Sequence, residues 1–263
     1  MTGTMKQYTI IHPLYMAFYS KSLYRDIANN WPTWFCFLYL LSLLALCWIP
    51  GMIRLDADIS TYVDDEAPKY VNQLPSIVIS KGQASIADPQ PAIVKDPEKG
   101  DPVMIIDTTG QITSLENSKA TILVTKTQLF FKDSLQGTRI INLSELGDMT
   151  IDKAFVYDWL EVFSEWFAIL LYPFALLFSF AFRSGQVLMY ALIGKFFSRA
   201  LKISLNYQVL MRLAAISLTP VIILNALIIF FKITIPSPWL INAIITTGYL
   251  IYAIRASSSS ADS

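Results

Sequence analysis

The chain has 263 residues, 54% of them hydrophobic and only 15% charged, with a mean hydropathy of +0.47, a balance that argues against an ordinary soluble globular domain. Its 20 Lys/Arg and 20 Asp/Glu cancel, yet 16 of those acids and 10 of those bases lie between Gly51 and Leu160, so an acidic middle sits within a basic, apolar remainder. No concentrated basic surface is present to displace counterions from nucleic acid, and the lone His12 excludes a histidine metal cluster.

Residues 1–30 read as a cytoplasmic or interfacial segment. Leu14, Phe18, Leu23 and Ile27 recur there at spacings of four or five, with tyrosines, Lys21 and Arg25 between. That pattern predicts a helix over Leu14–Asn30 lying at the headgroup level and feeding the first span, with a docking face for a cytoplasmic partner as the alternative. A helix needs roughly 20 apolar residues to cross the ~30 Å hydrocarbon core. Residues 31–50, 162–182, 213–231 and 233–254 meet that need, with Glu165 the one charge among them. The first run starts too far into the chain and is too long for a secretory signal, so a retained span is expected. Cys36 and Cys47 both fall in it, about three helical turns apart, and cannot bridge each other.

The placement of Lys and Arg orients these spans. With 1–30, 183–212 and 255–263 in the cytoplasm, nine bases face two acids there, against eleven bases and eighteen acids on the opposite side. Both termini are then inside and residues 51–161 outside. Trp31, Trp34, Trp48, Trp159, Trp166 and Trp239 fall near span ends, where an aromatic belt is expected. Ser184–Phe197 is apolar but short, which predicts a re-entrant or interfacial helix in the cytoplasmic segment 183–212; a fifth span is the alternative.

The outer segment 51–161 has a different pattern. A short helix is expected over Asp64–Asn72, limited by Pro68 and Pro75, and another over Asp148–Trp159. Between them Ser76–Ser80, Ala92–Lys95, Val103–Asp107, Thr121–Phe131 and Arg139–Leu143 are rich in Ile, Val, Thr and Phe and read as strands. Turn residues separate them at Lys81-Gly82, Asp88–Pro91, Pro97–Pro102, Thr109-Gly110 and Gln136-Gly137. Five or six short strands bury a small core, here without a disulfide. The fold class expected is therefore a membrane α-helical bundle of four spans, plus the short re-entrant or fifth helix, with a small β-rich extracytoplasmic domain inserted between the first two spans.

Chemical candidates are few. Val103–Gly110 resembles the hydrophobic-hydrophobic-Asp-Thr/Ser-Gly signature of aspartic proteases, in which two such loops share a proton between paired carboxylates. Here Asp107 is followed by Thr108, an extra Thr109 and then Gly110, with no second copy; the alternative is a strand ending in a turn with Gly at positive φ. Glu161 and Glu165 share one helix face, as headgroup-level carboxylates or as a cation site or partners of Lys232. Asn225 lies mid-span after Pro220, suited to hydrogen bonding across helices. No nucleophile–base–orienter set and no phosphate-binding loop occur, so no enzyme activity, cofactor or metal is expected.

Phe18–Asp26 before a Trp, Ile105–Gly110, and Tyr207 with Arg212-Leu213 leading to Leu218-Thr219-Pro220 and Asn225 occur in an order that resembles a bacterial multispan membrane family. That family is known as a domain of unknown function, with some members labelled maltodextrin-utilisation proteins, and is distantly Yip1-like. The resemblance covers about Leu14 to Arg255 and implies a bacterial inner-membrane location without any catalytic residue. The function expected is a non-enzymatic accessory, scaffold or sensor whose partners are the lipid bilayer and another membrane protein such as a transporter. The alternatives are a small-solute or ion permease and an envelope hydrolase using Asp107. The sequence leaves the oligomeric state open.

Overall fold

The structure is a computed structural model that describes residues 8–116, 118–133 and 137–258; Lys6, Gln136 and the tail after Ser258 lie outside the described residues. In chain order the helices are α1 (Pro13–Met16), α2 (Lys21–Asn30), α3 (Thr33–Thr61), α4 (Ala67–Val71), α5 (Lys153–Ala200), α6 (Tyr207–Ser217), α7 (Thr219–Phe230) and α8 (Pro238–Ser258). The strands are β1 (Ile77–Ser80), β2 (Gln83–Ile86), β3 (Ala92–Lys95), β4 (Pro102–Asp107), β5 (Ile122–Thr125), β6 (Gln128–Asp133), β7 (Gly137–Asn142) and β8 (Met149–Ile151). The chain divides into a helical unit, residues 1–55 and 168–263, and a second unit, residues 56–167. Four helices are long and apolar enough to cross a membrane, over Thr33–Val71, Lys153–Ala200, Tyr207–Phe230 and Pro238–Ser258.

Two of these outrun their predicted limits. The first helix passes Pro50 and continues through a π-helical turn at Tyr62–Glu66 into α4. Proline removes one N–H, and the helix continues with that one bond missing. The expected re-entrant or fifth helix at Ser184–Phe197 is instead the continuation of α5, which runs unbroken for 48 residues.

In the helical unit that continuation is the better packed part of α5. Val187, Tyr190, Ala191, Gly194 and Ser198 form a buried stripe at helical spacing. A Cβ on Gly194 would stand 3.3 Å from Leu210 and 3.5 Å from Leu250. The predicted span 162–182 is far more exposed, with Phe178 at 84%. Fifteen residues before Gly194, about 22 Å along the axis of α5, Ser179 Oγ accepts from Trp48 Nε1 (2.9 Å), and elsewhere in the unit Asn242 Nδ2 donates to Asn225 Oδ1 (3.3 Å). Tyr39 and Thr219 join their hydroxyls at 2.9 Å within the core.

The amino-terminal segment also departs from expectation. The single helix over Leu14–Asn30 is two helices, because Ser20 restarts the chain by accepting the N–H of Leu23 as an N-cap (3.3 Å). Leu23, Tyr24, Ile27 and Ala28 are buried in the same core as α6 and α8, rather than forming a face left for the headgroups.

In the second unit, β2-β1-β8 form an antiparallel sheet and β3-β4-β5-β6-β7 a second one, whose β4–β5 pair is parallel. Alternation along β4 sends Ile106 into a core with Ile77, Ile79, Ala84, Val124 and Leu143, and Ile105 into another with Leu115, Ala120 and Leu123. The predicted strand Thr121–Phe131 is split into β5 and β6 by a turn in which Thr125 Oγ1 donates to the Gln128 carbonyl. Both β2 and β8 went unpredicted. Lys81 (φ 51°) and Gly82 (φ 74°) form the two-residue loop that pairs β1 with β2. The helix expected from Asp148 begins only at Lys153, since Met149–Ile151 pair with β1.

Candidate functional site

Asp107 ends β4 with no exposed surface. Its Oδ1 accepts the Thr109 N–H (2.9 Å) and the Thr109 hydroxyl, and its Oδ2 accepts the Ile112 N–H. Burial raises its carboxyl pKa, and the hydrogen bonds from Thr109, Ile112 and Gly110 overcome this and hold it below the usual carboxylate range. Thr108 donates through both its N–H (2.7 Å) and its hydroxyl (2.9 Å) to Gln90 Oε1. Gly110 takes φ +87°. Both oxygens of Asp107 thus accept hydrogen bonds from the residues that follow it, and Thr108 is tied to Gln90.

Glu161 and Glu165 line a cleft of about 500 Å³ in the second unit, together with Asp64, Ser60, Tyr157 and Ser164. The cleft is polar and negative. Among the described residues no group of three His, Cys, Asp or Glu side chains is placed to hold a metal ion.

In the helical unit, Asn225 lines a cavity of about 150 Å³ with Cys47, Trp48, Ser179, Phe182 and Arg183. Arg183 donates through Nη1 to Gln186 Oε1 (2.7 Å), and its guanidinium carbon stands 6.0 Å from the centroid of the Phe182 ring. In the sequence Arg183 is marked only by its charge at the start of the segment 183–212. It becomes a site residue because α5 continues past it.

Arg212 has a different task. Its Nε donates to Thr33 Oγ1 (3.3 Å) and its Nη1 to the Ala28 carbonyl (3.2 Å), so α6 holds the end of α2 and the start of α3. Close in sequence to that joint, buried Asp26 accepts from Trp31 Nε1 (3.0 Å), Asn30 Nδ2 (2.6 Å) and the Tyr8 N–H (3.3 Å). Sequence reasoning passed over Asp26; its spacings of four and five to Asn30 and Trp31 were the available signal. Pro220, buried in the first turn of α7, follows the Thr219 that meets Tyr39.

No curated protein and no solved structure matches the chain. The family model described as "Protein of unknown function (DUF1189)" matches residues 11–254, nearly the whole length, and the chain belongs to that family.

Proposed function

We propose that this chain is a non-enzymatic accessory protein of a bacterial cytoplasmic membrane, whose β-rich unit faces the extracytoplasmic side and binds an extended segment of a partner membrane protein. Four helices of sufficient length and apolarity, and the concentration of bases in the segments assigned to the cytoplasm, support the membrane placement. The engagement of Asp107 within its own loop supports a role other than hydrolysis.

The observation that carries the partner reading is β7. It is the last strand of its sheet, all six of its residues are exposed, and it presents Ile140 and Ile141. An open edge strand is a template for another polypeptide, and proteins ordinarily blunt such edges. The opposite edge is blunted here. The Gln73 amide donates to the Lys95 carbonyl (2.9 Å) and accepts the Lys95 N–H (2.9 Å), occupying β3 as a neighbouring strand would.

A photo-crosslinking residue at Ile140, in the full chain in native membranes, is expected to give one dominant adduct that the same probe at exposed Ser114 does not give. Adducts at Ile140 no stronger than those at Ser114 would contradict the proposal.

A further inference from the structure

The cavity of the helical unit combines features that point to one ligand chemistry. Its described lining contains the guanidinium of Arg183 and the amide of Asn225, and no acid. One Arg183 nitrogen is engaged by Gln186, which leaves most of the guanidinium fork available. Asn225 receives from Asn242 on its oxygen, so its amide hydrogens are the part left to face a ligand.

A second cation stands nearby. Arg54 follows Gly51 of the lining by one helical turn and donates through Nη1 to the carbonyl of Phe230 (2.9 Å), the residue after Ile229 of the lining. Arg54 Nε is buried without a hydrogen-bond partner among the described residues. The rest of the wall is apolar, with Leu44, Phe182, Ile222 and Ile229. Donors and positive charge without a compensating carboxylate fit an oxyanion, and the apolar wall fits a hydrocarbon chain attached to it.

We infer that this cavity binds the phosphate of an anionic phospholipid, with Arg183 and Asn225 donating to its oxygens and the apolar wall receiving the start of an acyl chain. The inference rests on the helices lying in a bilayer, not on the side assigned to residues 183–212, and is independent of the partner at β7. The same oxyanion chemistry is offered by free phosphate; the apolar wall favours the lipid.

The full chain, purified in detergent and stripped of lipid, is to be titrated with phosphatidylglycerol, phosphatidylcholine and inorganic phosphate, and retained lipid read by native mass spectrometry. Phosphatidylglycerol is expected to be retained about tenfold better than phosphatidylcholine, the scale of one charge-assisted hydrogen bond. Arg183→Gln is expected to abolish that preference, Asn225→Ala to weaken it, and millimolar phosphate to leave it unchanged. Equal retention of the two lipids by the unaltered chain overturns the inference even if Arg183→Gln fails to fold, as does an unchanged preference in a folded Arg183→Gln. Displacement of the lipid by free phosphate assigns the cavity to the soluble anion and overturns the lipid assignment. Failure of the membrane placement is seen separately, as a chain that remains in the supernatant without detergent.

Discussion

At Asp107 a single buried carboxylate gathers the hydroxyl of Thr109 and the backbone N–H groups of Thr109, Gly110 and Ile112. These bonds favour the ionised form, so the folded pKa lies below the unfolded one. The resulting stability is therefore present above about pH 4 and lost as pH falls through the folded value. Asp107→Asn keeps the shape but not the charge and is expected to destabilise the protein by about 1–3 kcal/mol at neutral pH. In thermal unfolding the gap between the parent and Asp107→Asn should narrow below about pH 4; a gap independent of pH would mean that the carboxylate is not what holds the loop. Part of this was legible: Gly110 announced a positive φ, and the missing second Asp-Thr-Gly copy weighed against a protease. Trp31 was not legible. Its place at the start of the first span makes it a member of an interfacial belt, whereas its indole N–H pairs with Asp26 inside the core. Composition does not say which of six tryptophans will meet a buried acceptor.

At the scale of elements, the two longest helices show where reading a sequence for breaks goes astray. Pro50 and the residues before Ser184 read as ends in the sequence, and α3 and α5 pass through them. Hydropathy places the second span at 162–182, and the buried stripe of α5 lies beyond it, from Val187 to Ser198. Gly194 tests that packing. Gly194→Val crowds Leu210 and Leu250 and is expected to lower stability by about 1–3 kcal/mol, read as a fall in the thermal midpoint in detergent. Gly185→Ala, with nothing within 4 Å of the added carbon, should leave the midpoint unchanged or raise it. Equal effects at the two glycines would show that the stripe is not a helix–helix contact. In the second unit the strands carrying continuous Ile and Val were readable. Strand β2, with Gln83 and Ser85 on its exposed face, and the three-residue β8 were not, because their pairing with β1 is decided by the Lys81-Gly82 loop and by tertiary contact.

For the whole molecule, contacts separate residues 56–167 from the remainder, and charge density changes near those borders. The acidic, strand-rich middle predicted as 51–161 corresponds to the second unit at 56–167, and the apolar remainder to the helical unit. That coarse division was legible because charge density and periodicity change together at its borders. The cavity of the helical unit was not, since it joins residues from α3, α5 and α7 that are far apart in sequence. The central claim is that the helices cross a bilayer and carry the second unit outside. It is tested most directly by single cysteines at Ser114 and Ser258, in a chain with Cys36 and Cys47 replaced, labelled by a membrane-impermeant maleimide. Labelling of Ser114 in intact cells, with Ser258 reacting only after the membrane is opened, is the expected result; the reverse order, or both sites reacting only after lysis, would contradict it.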